Sequence, residues 1–214
     1  MHTRFIIEMQ RGERHLIVTI DRKYGSGGRL VGEKLAKLLG YRFYDRELLK
    51  IAAKESGMHE DVVQHFDEKP AGSLLYSTYL YATLPVTDAL PLNQKLAFAQ
   101  FDVIRRVAER GDCVIVGRCA DYVLQERSDC LNVFITASGE VRHKRLATYY
   151  GIPEELADKT IRKQDKMRAE YYNFFTQRKW GDAANYHLCV DAGQFTLDGA
   201  AALLANAVRQ LEGG

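Results

Sequence analysis

The sequence predicts an α/β fold in which a parallel sheet of five short strands is covered by helices on both faces. Three observations carry this reading. Runs at 16–20, 42–44, 113–116, 131–135 and 187–190 are short and mostly apolar, without the polar alternation of a sheet wetted on one side. Helical patterns separate them, which is the order that builds parallel β-α-β units. Two of the runs lead into residues with chemistry to offer, Asp45 and Gly117-Arg118. In open parallel sheets, ligands bind just beyond such strand ends.

Each element has its own warrant. Leu16 to Ile20 is β-rich and is followed at once by glycines. Val31, Leu35, Leu38 and Leu39 then recur at helical spacing, and Gly40 stops the helix. Tyr41 to Tyr44 is a short second strand, and helices are expected at 46–56 and 59–67. Pro91 opens a long helix through Leu96, Ala99, Val103 and Val107 that Gly111 ends. After the strand at 113–116 and the one at 131–135, residues 139–150 form a basic helix. Pro153 starts a long polar helix reaching about Phe174. The last helix gathers Ala200, Leu204, Ala207, Val208 and Leu211 on one face, after the strand at 187–190.

A length of 214 residues favours one domain, and the balance of 30 basic and 28 acidic residues gives a net charge of only +2. That argues against nucleic acid or a membrane surface as partner, so any basic site must be local. No run is long enough for a signal peptide or a membrane span. The uncharged stretch 70–87 reads as a buried or interface segment, and a homo-oligomer stays open. Cys113, Cys119, Cys130 and Cys189 form no metal pattern; Cys113 and Cys189 read as buried free thiols. Their usage fits a reducing, cytoplasmic compartment. The six histidines, among them His143 and His187, show neither metal spacing nor a nucleophile-base pattern, and no metal site is expected.

The chemistry concentrates where Gly25-Ser26-Gly27-Gly28-Arg29 joins an apolar strand to an amphipathic helix. Glycines let several backbone N–H groups crowd one anion, and the helix N-terminus adds its dipole. The alternative is a plain strand-to-helix turn. The loop departs from the usual GxxxxGK[ST] pattern: with Gly27 as the second glycine, Arg22 stands at the first, Gly28 at the lysine and Arg29 at the hydroxyl. Arg29 or Lys23 could supply the missing charge and Ser26 a hydroxyl.

The runs DRKYGSGGRLVGEKLAKLLGYRFYDRELL, VIVGRCADYVL and IRKQDKMRAEYYNFFT resemble the cytidylate-kinase-like family, a divergent branch of the nucleoside monophosphate kinases, over about residues 16–192. The resemblance implies a P-loop kinase-like domain with strand order 2-3-1-4-5, an acceptor-binding excursion at 46–90 and a helical lid at 151–182. It also implies transfer of the γ-phosphoryl of ATP, with Mg²⁺ carried on the nucleotide, to CMP, dCMP or a similar small nucleotide.

Residue by residue, the resemblance sets Asp45 at the acceptor nucleotide, although an aspartate there also suits a helix cap. It sets Arg118 on the acceptor phosphate or base, a plain surface charge being the alternative, with Cys119 where the family pattern has an aspartate and Asp121 two residues beyond Cys119. Arg142 and Arg145, three apart, face either the phosphates or solvent. Arg162, Asp165 and Arg168 recur every third residue and match the lid pattern; a surface pair of Arg162 with Asp165 is the alternative. Tyr171, Tyr172, Phe174, Phe175 and Trp180 anchor the lid or pack as core. The catalytic residues would then be Arg29, Arg162, Asp165 and Arg168, and the acceptor-binding ones Asp45, Arg118 and Arg142. A nucleotide-binding regulator without catalysis, and a kinase for another small acceptor, remain as the competing readings.

Overall fold

A computed structural model describes residues 16–55 and 92–213. The expected helix at 59–67, the uncharged stretch 70–87, most of the 46–90 excursion, Pro91, and four histidines (2, 15, 59 and 65) lie outside the described residues. In chain order the strands are β1 (Ile17–Arg22), β2 (Arg42–Tyr44), β3 (Cys113–Val116), β4 (Cys130–Thr136) and β5 (Leu188–Asp191). The helices are α1 (Gly28–Leu39), α2 (Glu47–Glu55), α3 (Leu92–Glu109), α4 (Ala120–Val123), α5 (Gly139–Tyr150), α6 (Glu154–Thr176) and α7 (Thr196–Gly213).

All five strands are parallel, in the order β2-β3-β1-β4-β5, as the resemblance implied. β1 lies at the centre, with Ile17 beside Cys113 on one flank and Cys130 on the other. Its side chains alternate between two cores. Ile17 joins Ile115, Leu48, Ile104 and Tyr172 beneath α2, α3 and α6. Val18 and Ile20 join Val31, Leu35, Leu204 and Val208 beneath α1 and α7. Burying an aliphatic side chain of this size contributes about 1.5–3 kcal/mol, and both faces of the sheet collect such terms. This is why the strands read as unbroken apolar runs.

Three details depart from the sequence reading. Leu38 and Leu211 are exposed, because the apolar stripes of α1 and α7 are narrower than their leucine spacing suggests. Cys189 is exposed rather than buried, since β5 is an edge strand covered on one side only; Cys113, within the sheet, is buried and free as expected. Of the aromatic run near the end of α6, Tyr172 is buried and Tyr171 and Phe175 pack on the core, whereas Phe174 is exposed.

A small third cluster bears on the site. Leu146 of α5 and Ala157 and Ile161 of α6 pack together, with Tyr24 of the loop after β1 resting on them. α5 and α6 are therefore packed behind the glycine loop. Ser138 caps α5, its Oγ accepting from the Val141 amide at 3.3 Å. No described helix is long and apolar enough to cross a membrane.

Candidate functional site

The chain between β1 and α1 turns on two left-handed glycines, Gly25 at φ +75° and Gly27 at φ +85°. Residues other than glycine pay for that backbone, and space would exclude them as well. A Cβ on Gly25 would stand 2.6 Å from Leu146 Cδ1, and one on Gly27 2.4 Å from Leu197 Cδ2. The glycines thus seat the loop on α5 and α7 behind it.

Arginine side chains hold the carbonyl side of the loop. Arg168 Nη1 donates to Arg22 O at 2.8 Å, and Arg142 Nε to Tyr24 O at 2.6 Å. Arg145 Nη1 donates to Ser26 O, and its Nη2 to Ala192 O at 2.7 Å. Asp165 accepts the Tyr24 amide at 2.7 Å and forms an ion pair with Arg142, whose side chain is nearly buried. Three guanidinium groups therefore hold every second carbonyl of residues 22 to 26. By contrast, the amides of Gly25, Gly27, Gly28, Arg29 and Leu30 find no acceptor among the described residues. Donors without acceptors at a helix N-terminus form an anion site.

Gly25, Gly27, Gly28 and Arg29 line a cavity of about 330 Å³ between the ends of β1, β2 and β3. Among the described residues, Arg22, Lys23, Arg29, Arg46, Arg118 and Arg168 bring six basic residues to its lining, against the two carboxylates Asp21 and Asp45. The net positive lining is local, as the near-neutral composition required. Asp45 Oδ2 accepts from Arg29 Nε at 2.8 Å, while Arg29 also reaches Glu33 at 3.4 Å. The Asp45 backbone carbonyl, at 3.3 Å from the Leu48 amide, starts α2.

The turn after β3 contributes Arg118. Gly117, Arg118 and Cys119 all have positive φ, at +75°, +60° and +55°. For Arg118 and Cys119 such backbone costs on the order of 1–3 kcal/mol each and is retained mainly at functional sites. Burial and the neighbouring Asp21 charge push the Cys119 thiol far above its usual range, so it is not a thiolate nucleophile.

Two buried acids lie close together here, Asp21 in the cavity lining and Asp121 outside it. Asp21 accepts from the Trp180 indole at 2.7 Å, the Tyr186 hydroxyl at 3.2 Å and the Arg22 amide at 2.8 Å. Asp121 accepts from the Tyr172 hydroxyl at 2.7 Å. Burial, reinforced by Asp21, raises the Asp121 carboxyl to about 6 against the pull of Tyr172. Burial also lowers the Arg168 guanidinium to about 9, Arg22 adding repulsion, so Arg168 keeps its charge at neutral pH.

The sequence-predicted residues fall into two groups. The structure brings Gly25, Gly27, Gly28, Arg29, Asp45, Arg118 and Arg168 to the cavity. Arg142 and Asp165 stand behind the loop rather than in the cavity, which corrects the acceptor assignment of Arg142 and the catalytic assignment of Asp165. Arg145 is likewise not on a solvated face. Ser26 is buried, its hydroxyl donating to Lys23 O at 2.8 Å, so it turns away from a ligand. Arg162 points to solvent and pairs at 3.6 Å with Asp158, not Asp165; the period of three does not keep a residue on one face through six positions. Asp21 and Tyr24 line the cavity without having been assigned a role from sequence, though a strand-end aspartate beside a glycine loop was a usable signal for the first; Trp180, read as a lid anchor or core residue, lines it as well. Among the described residues no group of three metal-binding side chains is assembled.

Comparison with known proteins agrees with the fold. The sequence model of the cytidylate kinase-like family matches residues 17–194. An uncharacterised protein from Eubacterium ventriosum, known from its crystal structure, is 29% identical with a TM-score of 0.69, covering 91% of this chain and 98% of that one. Shikimate kinase from Acinetobacter baumannii, solved with shikimate, superposes at a TM-score of 0.50 with 17% identity, covering 93% of both chains. Shikimate kinase from Bacteroides thetaiotaomicron gives 0.51 with 14% identity, over 91% of this chain and 98% of that one. These two likenesses establish the kinase fold. No curated protein compared with the chain matches it.

Proposed function

The chain belongs to the cytidylate kinase-like family, and from that premise, which supports a kinase-like, nucleotide-binding function, we propose that it is a nucleoside monophosphate kinase. It transfers the γ-phosphoryl group of ATP to CMP, dCMP or a similar acceptor. The observation that carries this reading is the one-sided loop. Its amides at Gly25, Gly27 and Gly28 are unspent, while Arg142, Arg145 and Arg168 hold its carbonyls away. Such a surface stabilises a chain of phosphates and little else.

Phosphoryl transfer asks the protein for alignment and charge neutralisation more than for covalent help. The loop amides hold the β- and γ-phosphates of ATP, which arrives with Mg²⁺. Arg118, on the neighbouring strand end, grips the acceptor phosphate with a planar two-point contact. An oxygen of that phosphate attacks the γ-phosphorus as the bond to the β–γ bridging oxygen breaks. The electron pair leaves on ADP. A phosphate dianion brings no proton to remove, so no general base is needed.

That point bears on the main competitor, a kinase for a hydroxyl-bearing small molecule such as shikimate. A hydroxyl acceptor favours a free carboxylate close by. Among the described residues, both carboxylates lining the cavity are engaged: Asp21 by three donors, Asp45 by Arg29. A phosphate acceptor fits the six cations better. The test is an ADP-release assay with MgATP against CMP, dCMP, UMP, AMP, GMP, dTMP and shikimate. Turnover is expected with a pyrimidine monophosphate. ADP release only with shikimate, or with none of them, contradicts the proposal.

A further inference from the structure

We infer that Arg22 supplies the phosphate-gripping cation that loops of the usual pattern take from a lysine at the position held here by Gly28. The inference rests on the phosphotransfer reading above. It begins from the alignment of the loop, in which the small residue and the cation have changed places: arginine stands at the first glycine position and glycine at the lysine position.

The packing explains why the two changes belong together. A Cβ on Gly28 would stand 2.5 Å from Arg22 Cβ, 2.9 Å from Arg22 Cγ and 3.2 Å from Ile135 Cβ. The stem of Arg22 therefore fills the space that any side chain at 28 would enter. Farther out, a Cβ on Gly117 would stand 2.2 Å from Arg22 Nη1 and 3.1 Å from its Cζ. Two glycines thus flank the path of one arginine. That path leads from the donor loop across the cavity to the turn that carries Arg118, so the charge ends between the donor phosphates and the acceptor cation.

The state of the guanidinium points to an anion. Its side chain is 20% exposed, and its nearest carboxylate oxygen, Asp21 Oδ1, is 3.8 Å from Nη1, beyond hydrogen-bond reach. It makes no side-chain hydrogen bond among the described residues. Arg142 and Arg145, in the same neighbourhood, direct their N–H groups to Tyr24 O, Ser26 O, Ala192 O and Asp165. Arg22 keeps its donors, and its charge repels that of Arg168. An anion held between the two relieves that repulsion. Its fork of N–H groups suits two oxygens of the transferring phosphoryl group, one on each side of the breaking bond.

A latch that merely ties the two turns together is the rival role, and an exchange of residues separates them. Arg22→Met keeps the stem over Gly28 and removes the charge. Removing a cation from a phosphoryl-transfer site costs up to about 10³–10⁵ in rate, so kcat should fall about a hundredfold or more while the Tm stays close to that of the parent. Gly28→Lys alone should be inactive, because Arg22 blocks its side chain. The double variant Arg22→Gly/Gly28→Lys restores the usual arrangement and should recover at least about a tenth of the parental kcat, within the tenfold that one weakened contact costs. An Arg22→Met enzyme with near-parental kcat overturns the proposal. So does a double variant that binds ATP and keeps its Tm yet stays inactive. Should the parent itself turn over none of the monophosphates, it is the phosphotransfer reading that fails. Arg22 is then decided by titration calorimetry: Arg22→Met should lose about tenfold in affinity for ATP but not for adenosine, and equal affinities overturn the assignment.

Discussion

Two turns leave neighbouring strands and meet over one cavity, and they reach left-handed backbone by different means. After β1 the positive φ values fall on Gly25 and Gly27. After β3 they fall on Gly117 and then on Arg118 and Cys119, residues that adopt them only at a cost. The first turn has α5 and α7 packed against its glycines, so a side chain there would strike Leu146 or Leu197. Its contribution to a ligand is backbone amides. The second turn contributes a side chain, and a glycine in place of Arg118 would remove the cation along with the strain. The difference teaches where each turn's left-handed backbone is put to use: in the main-chain amides of the first, beside the Arg22 side chain at its start, and in the Arg118 guanidinium of the second.

That contrast can be broken most severely at Arg118. Replacing it with Ala should lower kcat/KM for the monophosphate about a hundredfold or more, while ATP affinity changes little, as steady-state kinetics and titration calorimetry can check. A comparable loss for both ligands would detach Arg118 from the acceptor.

The first turn is tested by Gly27→Ala. The left-handed φ and the approach to Leu197 should together cost on the order of 1–3 kcal/mol of stability in denaturant melts. ATP affinity should drop as well, since the amides on either side of residue 27 move. Unchanged stability would mean that this backbone is not fixed as described.

Beneath both turns, Asp121→Asn probes the buried acid. Because the folded carboxyl titrates near 6 rather than at its usual 3.8, ionising it works against folding. The penalty is absent below about pH 4, grows as pH rises through 6 and is complete above it. The variant should therefore be the more stable protein at pH 7.5, by about 1–2 kcal/mol, and lose that advantage near pH 4. A stability difference independent of pH would contradict the raised value. The smallest effect is the sharpest comparison. Arg118→Gly and Arg118→Ala should be equally inactive, yet the glycine variant should be the more stable by about 1 kcal/mol, because only it relaxes the left-handed strain.

The sheet was legible because strands buried on both faces leave continuous apolar runs, and β2, β3 and α5 begin and end where spacing and glycines put them. The glycine loop was legible as a motif in its strand-helix setting. Its support was not. Arg142, Arg145 and Asp165 were visible as charges on helices, but their partners are backbone carbonyls and amides of a loop more than a hundred residues away, which carry no sequence signature. Equal spacing also said nothing about which of Arg162, Asp165 and Arg168 would face the loop. The strain at Arg118 and Cys119 was hidden for a related reason: non-glycine residues at positive φ look like any others in sequence. Cys189 misled because apolar strand composition does not distinguish an edge strand from a central one.

The central claim is that the amides between β1 and α1 hold the phosphates of a nucleoside triphosphate. Thermal melting of the parent protein with MgATP, with tripolyphosphate and with adenosine tests it most directly. At a ligand concentration one hundred times the dissociation constant, binding adds about 2.7 kcal/mol. For a chain of this size that should raise the Tm by roughly 5–10 °C with MgATP. Tripolyphosphate should give part of the rise, adenosine little, and Gly27→Ala should lose most of it. A melting temperature unmoved by any triphosphate at millimolar concentration would contradict the claim.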